Sequence, residues 1–132
     1  MNLNQVTVPS LDVAKAILFY KKLGLQLIVH SSPNYARFSC PDGSSTFSVH
    51  QVTEMAKGAG IWVYFENTAL DLVVAQLIEK GIKFTEMPND KPWLWKEAHL
   101  FDPDGNKIIL FEAGKNRENP PWRINETFLC KK

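Results

Sequence analysis

The chain has 132 residues, with 15 basic and 14 acidic side chains giving a net charge of +1, and 45% of it is hydrophobic. That length supports one domain with a proper core and excludes two ordinary ones, while the balanced charge excludes the field that draws in nucleic acid or an anionic membrane. The start of the chain carries no signal-type apolar run, and no stretch approaches the roughly 20 apolar residues that span a bilayer, so a soluble cytoplasmic protein with Cys40 and Cys130 as unpaired thiols is expected.

Residues 3–9 read as a strand in which Leu3, Val6 and Val8 alternate with Gln5 and Thr7. Pro9 and Ser10 end it. Asp12 then caps a helix with Ala14, Ile17, Leu18 and Leu23 as its apolar stripe, and Gly24 stops that helix. Three strands follow at residues 25–29, 35–39 and 46–52, and residues 53–60 have the small, flexible composition of a linker. Residues 61–66 form the next strand, and Asn67 or Thr68 caps a helix through Lys80 that is buried by Leu70, Val73, Val74 and Leu77. Gly81 ends it. Residues 82–84 read as a strand, 86–92 as a polar loop, and 93–101 and 107–113 as the closing strands. The tail, 114–132, contains Asn119-Pro120-Pro121-Trp122, whose prolines hold the backbone extended and could deliver Trp122 to a fixed place.

The second half repeats the first. Val6-Thr7-Val8 and Val63-Tyr64-Phe65 lie 57 positions apart, as do Leu23-Gly24-Leu25 and Lys80-Gly81-Ile82. The turn Cys40-Pro41-Asp42-Gly43 returns as Asp102-Pro103-Asp104-Gly105, where proline presets φ and glycine takes the positive φ that follows. The expected fold is therefore an α+β domain over residues 1–113 made of two βαβββ modules, 3–52 and 61–113. Each sheet is covered on one face by its helix, and the two open faces join into a cup.

Strand alternation sorts the side chains by face. Val6, Val8, Phe38, Phe47, Val49, Ile61, Val63, Phe65, Ala98, Leu100, Ile108 and Leu110 fall on the helix side. The open side receives Gln5, Thr7, Tyr35, Arg37, Thr46, Ser48 and His50 from the first module. From the second it receives Trp62, Tyr64, Glu66, Trp95, Glu97, His99, Ile109 and Phe111. Aromatic rings mixed with a few titratable groups are the usual make-up of a small-molecule pocket or a subunit interface. Glu97 and His99 are the candidate catalytic pair, one of them acting as a general base. Gln5, Tyr35, Arg37, Ser48, His50, Trp62, Tyr64, Trp95, Ile109 and Phe111 are the candidate ligand-binding residues.

The doubled module with Asp102-Pro103-Asp104-Gly105-Asn106 before its last strand resembles the vicinal oxygen chelate superfamily, which includes glyoxalase I, bleomycin-resistance proteins, extradiol dioxygenases and fosfomycin-resistance enzymes. Residues 3–9, Asp12, Phe19-Tyr20 and Leu23-Gly24-Leu25 carry the same resemblance, which covers residues 3–112. In metal-dependent members it implies ligands from the first and last strand of each module, and the matching positions are Gln5, Ser48, Trp62 and Ile109. An isoleucine has nothing to offer a divalent ion, so no cofactor is expected there. The alternative is a shifted divalent-metal site at His50, Glu97 and His99 serving glyoxalase-type chemistry. A third reading, implied by the bleomycin-resistance relatives, is drug sequestration without turnover. The expected partners are a small-molecule ligand and a second copy of the chain, with neither nucleic acid nor membrane.

Overall fold

Each half of the chain runs strand, helix, strand, strand, strand in the computed structural model, which describes residues 1–126. The first half comprises β1 (Gln5–Ser10), α1 (Val13–Leu23), β2 (Gln26–Ser31), β3 (Tyr35–Ser39) and β4 (Thr46–Gln51). The second comprises β5 (Trp62–Glu66), α2 (Leu70–Glu79), β6 (Glu86–Asp90), β7 (Lys96–Phe101) and β8 (Lys107–Glu112). Their strands lie in two four-stranded sheets, ordered β1-β4-β3-β2 and β5-β8-β7-β6, and the modules are joined through a common core rather than by strand pairing. In each sheet the first strand runs parallel to the last, because the helix crossover returns the chain in the same direction.

Asp12 starts α1 by accepting a hydrogen bond from the Lys15 amide at 3.2 Å, and Gly24 ends it in the left-handed conformation at φ 112°. The buried face of α1 is Val13, Ala16, Ile17 and Tyr20, the i, i+3, i+4, i+7 spacing of a helical stripe. Leu18, expected in that stripe, is 64% exposed, because Tyr20 is drawn inward by a polar partner and fixes the rotation of the helix. At the start of α2 neither Asn67 nor Thr68 is the cap residue. Ala69 occupies that place, Asn67 accepts from the Ala69 amide, and the Leu70 amide donates to Glu112 at 3.0 Å, a long-range partner that local pattern cannot supply.

Residues 82–84 are not a strand; the strand is β6, inside the stretch expected to be a polar loop. It is an edge strand with a bulge between Glu86 and Asn89, and such a position tolerates Pro88 and needs no apolar alternation. Ile61, expected on the helix side, lies just before β5 and is exposed.

One contiguous core takes the helix-facing residues of both modules, Val8, Phe38, Phe47 and Val49 with Ala98, Leu100, Ile108 and Leu110. Each fully buried side chain of this size contributes about 1.5–3 kcal/mol. Phe47 meets Phe65 across the module boundary with ring centroids 5.5 Å apart. The Asp102-Pro103-Asp104-Gly105-Asn106 turn fastens one end of that boundary. Asp102 accepts from the buried Tyr20 hydroxyl at 2.6 Å, Asn106 donates to the Pro9 carbonyl at 2.9 Å, and Asp104 accepts from the Leu11 amide at 2.8 Å. Burial, and then the Asp102 charge, push the Tyr20 phenol far above its ordinary range, so it stays a donor.

Candidate functional site

Alternation along the strands puts the candidate residues on the side of each sheet away from the shared core. In the first module they form a polar chain. Gln5 donates to Ser48 Oγ at 2.6 Å, Ser48 and the Tyr35 hydroxyl are 2.6 Å apart, and Arg37 Nε donates to Tyr35 at 2.8 Å. Partial burial works to raise the Tyr35 phenol, but the hydrogen bonds from Ser48 and Arg37 and the Arg37 charge together outweigh it. The net result lies below the usual tyrosine value.

The second module builds an aromatic floor. Trp95 stacks on Phe111 with centroids 4.6 Å apart and planes 20° from parallel, and Tyr64 meets both rings edge-on. Ile109, Phe111 and Ala113 are buried beneath Trp95 as a cluster separate from the main core. Trp95 donates to the Asn116 carbonyl at 3.2 Å, which ties the start of the tail to the floor. Trp62 is half exposed at the rim, with the Lys107 ammonium 4.5 Å from its ring centroid.

Glu97 lies beside this floor, only 3% exposed, and both carboxylate oxygens are occupied. Trp93 Nε1 donates to one at 2.7 Å, and His99 Nε2 lies 2.8 Å from the other. In the neutral imidazole with Nε2–H donated to Glu97, Nδ1 is the acceptor. Tyr64 is raised above the ordinary tyrosine range, first by desolvation and then by the Glu97 charge.

Trp93, the expected first residue of a strand over 93–101, lies instead in the loop between β6 and β7, because β7 begins only at Lys96. It is not one of the candidate residues above, although it shares the parity of Trp95, Glu97 and His99. The same loop holds Leu94 at φ 67°, a left-handed conformation that costs a side-chain-bearing residue about 1–2 kcal/mol. Leu94 thus lies between two placed indoles, Trp93 on Glu97 and Trp95 on Phe111.

His50 is on β4, opposite Tyr35 and exposed, in the other sheet from Glu97 and His99. The alternative metal set of His50, Glu97 and His99 is therefore corrected, and among the described residues no three His, Cys, Asp or Glu side chains group to hold an ion. Of the four positions that match the superfamily's ligands, only Gln5 carries a plausible donor for a cation. Ile109 is aliphatic and fully buried, Trp62 offers an indole, and Ser48 is engaged by Gln5 and Tyr35. Burial, then Asp42, raise the Cys40 thiol and so disfavour its thiolate; Cys130 lies outside the described residues. No described helix is long and apolar enough to cross a membrane.

Residues 2–110 match the model of the Glyoxalase/Bleomycin resistance protein/Dioxygenase superfamily, and the chain belongs to that family. A glyoxalase/bleomycin resistance protein/dioxygenase from Nocardioides superposes with a TM-score of 0.75 at 20% identity, over 95% of this chain and 90% of that one. A family enzyme from Burkholderia phytofirmans PsJN gives 0.71 at 19% identity, over 86% and 99%. A lactoylglutathione lyase from Agrobacterium tumefaciens gives 0.67 at 18%, over 84% and 92%. At these identities the likeness shows the fold alone. No curated protein matches the sequence.

Proposed function

We propose that the protein binds a planar, largely apolar small molecule on the open face of its second module, without a divalent metal. The observation that carries this reading is the buried Glu97, clamped by Trp93 and His99 beside the stack of Trp95, Phe111 and Tyr64. A carboxylate that is 3% exposed and already holds one partner on each oxygen is poorly placed to be a ligand's first contact. Its role is to orient His99, whose Nδ1 then receives a ligand N–H or O–H while the rings hold the ligand's face. If turnover occurs, His99 is the general base and Glu97 its positioning residue. Lactoylglutathione lyase chemistry is not carried over from the Agrobacterium relative, because the residues at the metal positions do not fit an ion.

This face and the loop before β7 leave Trp62, Tyr64, Trp93 and Leu94 each 42–51% exposed. So much apolar surface in one place calls for a cover, and a second copy of this chain is the cover proposed here, in a cytoplasmic homodimer. Light scattering on purified protein tests the assembly; a monomer at micromolar concentration would contradict it. Thermal-shift screening against planar aromatic acids, amines and phenols tests the site. Hits should stabilise the wild type and be lost in Trp95→Ala, which removes the stacking surface; hits that survive Trp95→Ala would overturn the assignment.

A further inference from the structure

The internal repeat predicts a second latch that the chain does not have. Tyr20 and Leu77 are equivalent, 57 positions apart on the two helices, and Asp102 and Cys40 are equivalent at the two turns, 62 apart. At one end of the module boundary the tyrosine and aspartate form the 2.6 Å hydrogen bond described above. At the other end Leu77 and Cys40 offer no such pair, and a cavity of about 530 Å3 opens, lined by both.

The lining is mixed in chemistry. Val73 and Phe65 contribute apolar wall with the nearly buried Leu77 at its base, and Lys22 and Lys80, at the ends of the two helices, contribute ammonium groups that make no ion pair among the described residues. Of the acidic groups on the lining, Glu66 has Arg117 3.8 Å away, which leaves Asp42 against two lysines. Burial keeps the Cys40 thiol protonated and uncharged. The size falls within the usual range for small-molecule pockets. We propose that this unlatched end is a second binding site, meeting the aromatic floor only at Tyr64, for an aliphatic monoanion whose chain lies against Val73 and Phe65 and whose head meets Lys22 and Lys80.

Alkylation of Cys40 by N-ethylmaleimide in a Cys130→Ser background reads occupancy directly, since Cys40 is on the lining and partly exposed. Millimolar octanoate should slow the reaction several-fold, whereas octylammonium and octanol at equal concentration should not. Leu77→Trp, which fills the cavity, and Lys22→Gln/Lys80→Gln, which leaves its walls intact, should each remove the protection while far-UV circular dichroism stays native. An unchanged rate with octanoate, equal protection by octanol or octylammonium, or protection persisting in the lysine double variant would each overturn the proposal. Should Leu77→Trp fail to fold, the lysine variant decides alone.

Discussion

Gln5, Tyr35, Arg37, Ser48 and His50 of the first module occupy the places held in the second by Trp62, Glu97, His99, Ile109 and Phe111. Strand register shows the correspondence: Arg37 pairs with Ser48 as His99 pairs with Ile109, and Tyr35 pairs with His50 as Glu97 pairs with Phe111. Identical backbone plans thus carry a chain of hydrogen bonds near solvent on one side and a buried aromatic floor on the other. The helix-facing positions, by contrast, are apolar in both modules because they meet in one core. The fold constrains only the inward half of each strand, and the outward half is free to diverge into function.

The sharpest way to break this comparison is to truncate equivalent residues. Phe111→Ala should cost about 3–5 kcal/mol, as expected for a buried phenylalanine, whereas His50→Ala at the matching exposed position should change stability by no more than about 0.5 kcal/mol. Urea denaturation of the two variants measures both, and similar costs would show that the two faces are not packed differently.

The two turns give the next largest contrast. Asp102→Ala leaves the Tyr20 hydroxyl, the Asn106 amide group and two backbone amides without their acceptor, at about 3 kcal/mol; Cys40→Ala should cost about 1 kcal/mol or less. Equal midpoints for these variants would remove the latch from the account.

The three tyrosines sharpen the comparison further, one per environment. Alkaline difference absorbance should show one phenol ionising below the ordinary 10.0, lost in Tyr35→Phe, and one ionising above it, lost in Tyr64→Phe. Tyr20 should not titrate before the protein unfolds. Because Tyr35 ionises more easily folded than unfolded, it adds stability as pH rises from its folded value toward 10.0. Tyr64 has the opposite sign, and stability falls as pH climbs through 10.0 toward its raised value. Reversed assignments in the two phenylalanine variants would contradict the electrostatics of both faces.

The smallest effect concerns Leu94. Replacement by glycine removes the strained side chain and should raise stability by up to about 1 kcal/mol, measured by thermal unfolding; a clear loss would mean that the Leu94 side chain holds the loop together.

Much of this was legible in residue order because period and repeat are local signals. The doubled module, the Asp102-Pro103-Asp104-Gly105 turn and the face of nearly every strand follow from alternation and glycine placement. What was not legible depended on distant partners. Tyr20 turned α1 away from the stripe that included Leu18, because its partner Asp102 lies 82 positions along the chain. Glu112 stood in for a side-chain cap on α2, and an edge strand with a bulge hid β6 in a polar stretch. In the candidate site Glu97 and His99 are neighbours by parity, and Trp93 shares it, but because β7 starts only at Lys96 the Trp93 indole reaches Glu97 from the preceding loop. His50, on the first module's sheet, does not group with them, since parity fixes a face but not a distance between sheets.

Binding of an aromatic hit, followed by quenching of tryptophan fluorescence in excess EDTA, tests the central claim most directly. The account predicts the same affinity with and without the chelator in the wild type, and loss of binding in Trp95→Ala under both conditions. Binding abolished by EDTA and restored by added zinc or nickel would contradict it.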